Sequence, residues 1–211
     1  MKKLPETLLW FLWVILTAAG GTLGLFLTMV TPMQAFFLIA SYTLAAILAC
    51  AGQWFLLRYL VQMRAGWIAT GLLGFITPPV LIMFAAQLEN IPGPHNLFAY
   101  IGVGIGGLLA GALMGVVQKT ALLARYTTRA RWWTWATALA WGLGWAIGTA
   151  IPGVDPSTSG DPRLLLTGWF TTWAIIGAIT GVALLWLLRS PRIDLSAKAL
   201  QEVEQSSIAR Q

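Results

Sequence analysis

Leu97-Phe98-Ala99-Tyr100-Ile101-Gly102-Val103-Gly104-Ile105-Gly106-Gly107-Leu108-Leu109-Ala110-Gly111-Ala112-Leu113-Met114-Gly115-Val116-Val117-Gln118 runs for 22 residues without an Asp, Glu, Lys or Arg. A helix rising ~1.5 Å per residue needs ~20 such residues to cross a hydrocarbon core ~30 Å thick. Five further uncharged runs of similar length flank this one, at residues 7–30, 34–57, 66–86, 132–151 and 165–188. Membrane-spanning strands need only ~10 residues and alternate apolar with polar positions. No such alternation is present, so the spans are predicted to be helices.

Composition agrees with a chain written for lipid. It is 58% hydrophobic and 9% charged, with a mean hydropathy of +0.76. Soluble domains run at roughly 45–50% apolar and about 25% charged. These figures exclude a large soluble domain and intrinsic disorder. The single cysteine, Cys50, excludes an internal disulfide framework.

The basic residues set the expected orientation, because Lys and Arg in short loops are held on the cytoplasmic side. Lys2, Lys3, Arg58, Arg64, Lys119, Arg125, Arg129, Arg131, Arg189, Arg192, Lys198 and Arg210 share one face of a six-span chain, and only Arg163 falls on the other. Both termini are therefore expected in the cytoplasm. Short outer loops then carry Glu89, Asp155 and Asp161. The net charge of +6 reads as a topology signature beside anionic lipid, with no nucleic acid as partner. Met1-Lys2-Lys3 before Leu8–Leu16 resembles a secretory signal, but the apolar stretch continues to Val30 and is read as an uncleaved first span. The expected organisation is a transmembrane domain over residues 1–190 and a cytoplasmic amphipathic tail over 191–211, in which Leu195, Ala199 and Val203 recur every four residues.

Displacing the chain by 65 residues lays Gln53 on Gln118, Leu57 on Leu122, Arg64 on Arg129, Ala65 on Ala130 and Trp67 on Trp132. Leu188-Arg189 matches Leu57-Arg58 in a partial third copy, with Leu184 or a neighbour where Gln is expected. Pro32, Pro92 and Pro152 end the odd-numbered runs at intervals of sixty. The expected architecture is all-α and polytopic, three helical hairpins repeated in parallel orientation. The string Gly52-Gln53-Trp54-Phe55-Leu56-Leu57-Arg58 leading to Arg64-Ala65-Gly66-Trp67, with Gly115-Val116-Val117-Gln118 leading to Arg129-Ala130-Arg131-Trp132, resembles that of a group of uncharacterised bacterial multi-pass membrane proteins. The resemblance covers the second to fifth spans, supports the repeat, and carries no assigned activity.

Between helices in lipid the hydrophobic drive is small, so small residues that let backbones approach supply packing instead. Gly102, Gly106, Gly107, Gly111 and Gly115 form such a face on the fourth run, which is expected to lie at the centre of the bundle. Gly144 and Gly148 on the fifth, Gly177 and Gly181 on the sixth and Gly20, Gly21 and Gly24 on the first continue the pattern. Making room for bound lipid or a flat quinone, carotenoid or tetrapyrrole is the alternative use of such a face. Of twelve tryptophans, Trp10, Trp13, Trp54, Trp67, Trp132, Trp133, Trp135 and Trp186 map to the inner interfacial belt and Trp169 to the outer one. Trp141, Trp145 and Trp173 fall deeper, where an indole N–H needs an acceptor, a ligand or a neighbouring subunit. Thr77-Pro78-Pro79 is expected to kink or unwind the third run.

No run carries an Asp, Glu, Lys, Arg or His of the kind that marks proton relays and ion paths. His95, the sole histidine, sits in an outer turn, where it is solvated or an axial ligand to a tetrapyrrole; with one His and one Cys no zinc set can be assembled. Ser41 has no base beside it in the spans. The expectation is therefore no enzyme and no resident metal. The chain is expected to be a non-catalytic accessory or assembly subunit of a larger complex in the bacterial cytoplasmic membrane, electron-transfer or photosynthetic in kind. It would contact other membrane subunits and lipid. The alternative is a substrate-binding membrane subunit of a small-solute transporter, similar in size and topology to the six-helix vitamin-capturing components of energy-coupling-factor transporters, with Trp141, Trp145 and Trp173 as its lining.

Overall fold

The structure, a computed structural model, describes residues 5–30, 35–61, 63–89, 95–121, 123–151 and 162–189. Among the described residues it is helical, without a β-strand. The α-helices are α1 Glu6–Val30, α2 Ala35–Val61, α3 Gly66–Ala69, α4 Thr77–Glu89, α5 His95–Ala121, α6 Arg131–Ala150 and α7 Pro162–Leu188. A 3-10 segment, Thr70–Ile76, joins α3 to α4. Five helical stretches are long and apolar enough to cross a membrane: Glu6–Phe26, Ile39–Val61, Gly66–Phe84, Tyr100–Thr120 and Arg163–Leu188. At 20 residues α6 has comparable length. Five of its residues are tryptophan, which lowers its hydropathy.

Pro78 and Pro79 stand in the first turn of α4, where a missing N–H costs no intrahelical bond. Their rings do obstruct an α-helix arriving from the N-terminal side. The chain meets that obstruction by winding the seven preceding residues as a 3-10 helix. Gly71 and Gly74 let this tighter segment lie against α2: a Cβ on Gly71 would come 2.6 Å from the Ile47 Cα, and one on Gly74 2.7 Å from the Ala46 Cβ.

The helices close into a ring. α1 packs on α2, α2 on the α3 and 3-10 segment, α4 on α5, α5 on α6, α6 on α7, and α7 returns to α1. The helix α5 is thus one stave of the ring and not its centre, contrary to the expectation from its glycines. Ile101, Ile105, Leu108, Leu109, Leu113 and Val116 on its far side are exposed. Glycines lie at every contact, so α5 is not distinguished by having them.

Two stacked cores fill the ring. One, at the arginine-rich end, gathers Leu9, Trp13, Cys50, Leu57, Met63, Trp67, Leu123, Trp133, Leu184 and Leu187. The other gathers Ala18, Leu25, Ala45, Ala49, Ala110, Met114, Trp141, Trp145, Trp173 and Ile176. At the arginine-rich end Glu6 and Arg189 form a two-pronged ion pair, with Arg189 Nε donating to Glu6 Oε1 at 3.1 Å. Both side chains are more than half exposed, so the pair is screened and serves mainly to mark where the ring closes. The hydrogen bond from Glu6, ahead of its charge, raises the Arg189 pKa further above its ordinary value.

Candidate functional site

The polar centre of the molecule is built from three tryptophans, two glutamines and four threonines. Trp13, Trp67 and Trp133 are 0%, 0% and 1% exposed and gather around the ring axis, Trp13 meeting each of the other two edge to face and Trp67 meeting Trp133 at a tilt. Their ring centroids are 6.5 Å apart for Trp13–Trp67, 6.3 Å for Trp13–Trp133 and 5.7 Å for Trp67–Trp133. Each such pair is worth ~0.5–1.5 kcal/mol beyond the area it buries.

The indole N–H of each of these three tryptophans has found an acceptor on another helix. Trp67 Nε1 donates to Gln53 Oε1 at 3.1 Å, Trp133 Nε1 to Gln118 Oε1 at 2.8 Å, and Trp13 Nε1 to Thr180 Oγ1 at 3.0 Å. An indole can only donate, which fixes the orientation of both amides: oxygen toward tryptophan, nitrogen away. The nitrogens are then used in the same way. Gln53 Nε2 donates to Thr17 Oγ1 at 3.0 Å and Gln118 Nε2 to Thr70 Oγ1 at 3.1 Å. Those hydroxyls in turn donate to the backbone carbonyls of Trp13 and Trp67, at 2.7 and 2.6 Å. Thr137 and Thr180 complete the pattern by donating to Trp133 O and Ile176 O, at 2.8 and 2.7 Å. Each glutamine thereby links the helix before it in the chain to the helix after it. Cys50 lies at the edge of this network, with Sγ 3.7 Å from Thr70 Oγ1 and 4.0 Å from Gln118 Nε2.

This geometry corrects three readings of the sequence. Trp13, Trp67 and Trp133 were expected in the wet interfacial belt, but they are sealed inside the ring, where glutamine or threonine takes the place of water. Trp132 and Trp135 do lie at the surface, at 50% and 65% exposure. The indole bonded to Gln118 belongs to Trp133 and not to Trp132, the residue that the 65-residue displacement lays on Trp67: the bonded pairs are 14 residues apart in Trp67–Gln53 and 15 in Trp133–Gln118. The third indole N–H, that of Trp13, is accepted by Thr180 on α7, one turn before the Leu184 that the sequence aligned with glutamine. The signal in the sequence that sets these three tryptophans apart from Trp141 and Trp173 is a threonine three or four residues on, at Thr17, Thr70 and Thr137.

Trp141, Trp145 and Trp173 come together in the other core, at 5%, 2% and 2% exposure. Trp141 meets Trp173 edge to face at 5.7 Å, and Trp145 stacks on Tyr42 at 5.4 Å. Among the described residues the indole nitrogens of Trp145 and Trp173 have no hydrogen-bond partner, nor do the hydroxyls of Thr22 and Thr134. Between this cluster and the amide layer lies a cavity with about 20 Å³ of space for the centre of a water, lined by Cys50, Gln53, Gln118, Thr137, Trp141 and Trp173 among others.

The glycines sit at helix contacts within the chain. A Cβ on Gly107 would come 2.8 Å from the Trp141 carbonyl oxygen, one on Gly111 2.6 Å from that of Thr137, and one on Gly115 2.8 Å from the Thr134 Cα. Gly106 faces Leu81; Gly144 and Gly148 face Thr172; Gly177 faces Val14 and Gly181 faces Trp10. Gly102 is buried. His95 opens α5, but its side chain lies outside the described residues, as do those of Glu89, Asp155 and Asp161, the three turn prolines and the tail. Among the described residues no three His, Cys, Asp or Glu side chains gather as a metal site would require.

Comparison with protein-family models, with curated proteins and with solved structures found no match to this chain.

Proposed function

We propose that the chain crosses a bilayer six times, α6 adding a span to the five apolar stretches, as three parallel helical hairpins with both termini on the cytoplasmic side of the bacterial inner membrane. In this reading it is a non-catalytic accessory or assembly subunit of a larger membrane complex. The observation that carries the proposal is how fully the interior is committed to itself. The indole–amide–hydroxyl network and the glycine contacts use the inward faces of the helices and leave a cavity that offers about 20 Å³ to the centre of a water. What remains for interaction is the outer surface, where Leu23, Phe26, Leu109, Leu139 and Val182 are exposed. In lipid such a surface suits acyl chains or the apolar flank of another subunit. The recurrence of tryptophan, threonine and glutamine at matching places in successive hairpins supports the repeat.

The test is extraction in a mild detergent followed by native electrophoresis and mass spectrometry. The expected outcome is migration with partner subunits, well above the 22.9 kDa of the chain plus its micelle. Migration of the chain alone at native expression would defeat the proposal.

One observation favours the transporter reading: Trp141 and Trp173 do line the central cavity. If this reading holds, Trp141→Phe, Trp145→Phe and Trp173→Phe each abolish solute uptake into proteoliposomes. Under the accessory-subunit proposal, wild-type vesicles take up no more than empty ones.

A further inference from the structure

Two observations converge on the middle of the ring. The cavity there offers about 20 Å³ to the centre of a water, which is room enough for water to enter. The lining also carries hydrogen-bonding capacity that the side-chain network leaves unspent. Trp173, one of the lining residues, is 2% exposed and its indole nitrogen has no acceptor. Gln53 and Gln118 each spend one oxygen lone pair on a tryptophan and keep a second, and Thr137 Oγ1 donates to Trp133 O while keeping its own lone pairs.

We propose that this cavity is a hydration site whose water accepts from the Trp173 indole N–H and donates to the glutamine carbonyl or threonine hydroxyl oxygens across the ring. The chemistry excludes the two obvious alternatives. Cavities that stay dry are lined by hydrocarbon, whereas this one presents two amides, two threonine hydroxyls and an indole N–H. An ion would shed its hydration shell and find only neutral partners, at a cost that a few uncharged hydrogen bonds do not offset. The water would join the two stacked cores, tying α7, through Trp173, to the glutamines of α2 and α5. The inference stands on the interior alone and is independent of the accessory-subunit reading.

The full-length protein in lipid nanodiscs supplies its own reporters. Met114 lines the cavity and Met63 does not, yet each is 3% exposed. Radiolysis of bound water by a millisecond X-ray pulse oxidises the side chains that touch it. The expected result is dose-dependent oxidation of Met114 in wild-type protein. It should fall to background in Ala46→Leu, which fills the cavity, with Met63 unchanged. In the same samples with indole-15N tryptophan, the Trp173 N–H, assigned by its loss in Trp173→Phe, should show magnetisation transfer from water. The Trp67 N–H, bonded to Gln53, should show none. An unoxidised Met114 in wild-type protein, or a Trp173 N–H without transfer from water, would overturn the proposal. Because the wild-type measurements decide it, a variant that fails to fold does not rescue it.

Discussion

Gln118 joins three elements through one side chain: its oxygen receives Trp133 of α6, its nitrogen serves Thr70 between α3 and α4, and its backbone belongs to α5. Removing it strands the Trp133 indole N–H in apolar surroundings, while the Thr70 hydroxyl loses a donor but still donates to Trp67 O, and a buried donor left without a partner costs ~1–3 kcal/mol. Gln118→Leu should therefore lower stability by about 2 kcal/mol, read as the midpoint of chemical unfolding in detergent. Adding Trp133→Phe to that variant should cost less than Trp133→Phe costs in the wild type, because the stranded donor goes with it. Equal costs in the two backgrounds would show that the bond does no structural work. The glutamines could be seen in the sequence as polar residues in apolar runs, but their partners could not. Sequence gives depth along a helix, and at that depth Trp13, Trp67 and Trp133 look like any interfacial tryptophan. The direction in which they point is set by neighbours that only the fold supplies.

Among the elements, legibility follows the same physics. Apolar runs gave helices at nearly the right places, since a membrane helix must satisfy its backbone within itself and so must be long. Their faces were harder to read. When both the surrounding lipid and the helix interior are hydrocarbon, polarity no longer tells inside from outside, and α5 could be taken for a central helix although six large apolar side chains cover its outer side. Glycine says that a backbone approaches closely, without saying which backbone. The glycine contacts also rank the expected damage. A Cβ at Gly24 would overlap the Ala45 backbone and one at Gly111 would sit 2.6 Å from the Thr137 carbonyl oxygen, whereas at Gly52 the nearest atom is the Leu16 Cβ at 3.0 Å. Overpacking of this kind costs ~1–3 kcal/mol when backbone has to move. Gly24→Ala and Gly111→Ala should thus lower the melting temperature in detergent clearly more than Gly52→Ala. The reverse order would mean that the helix contacts are misassigned.

For the molecule as a whole the decisive feature is closure. The last helix returns to the first, with Trp13 donating to Thr180 inside and Glu6 meeting Arg189 at the rim. A bundle joined this way has no privileged first helix: the covalent gap falls where the neighbours already touch, and peptide continuity there is dispensable to the packing. A circularly permuted gene, with residue 189 linked to residue 6 through a short flexible bridge and new ends opened at the exposed Thr128, should yield a protein with the parent's near-ultraviolet dichroism and elution volume. The seam of the barrel can be moved, just as a hoop can be cut at any point of its rim without changing its curvature.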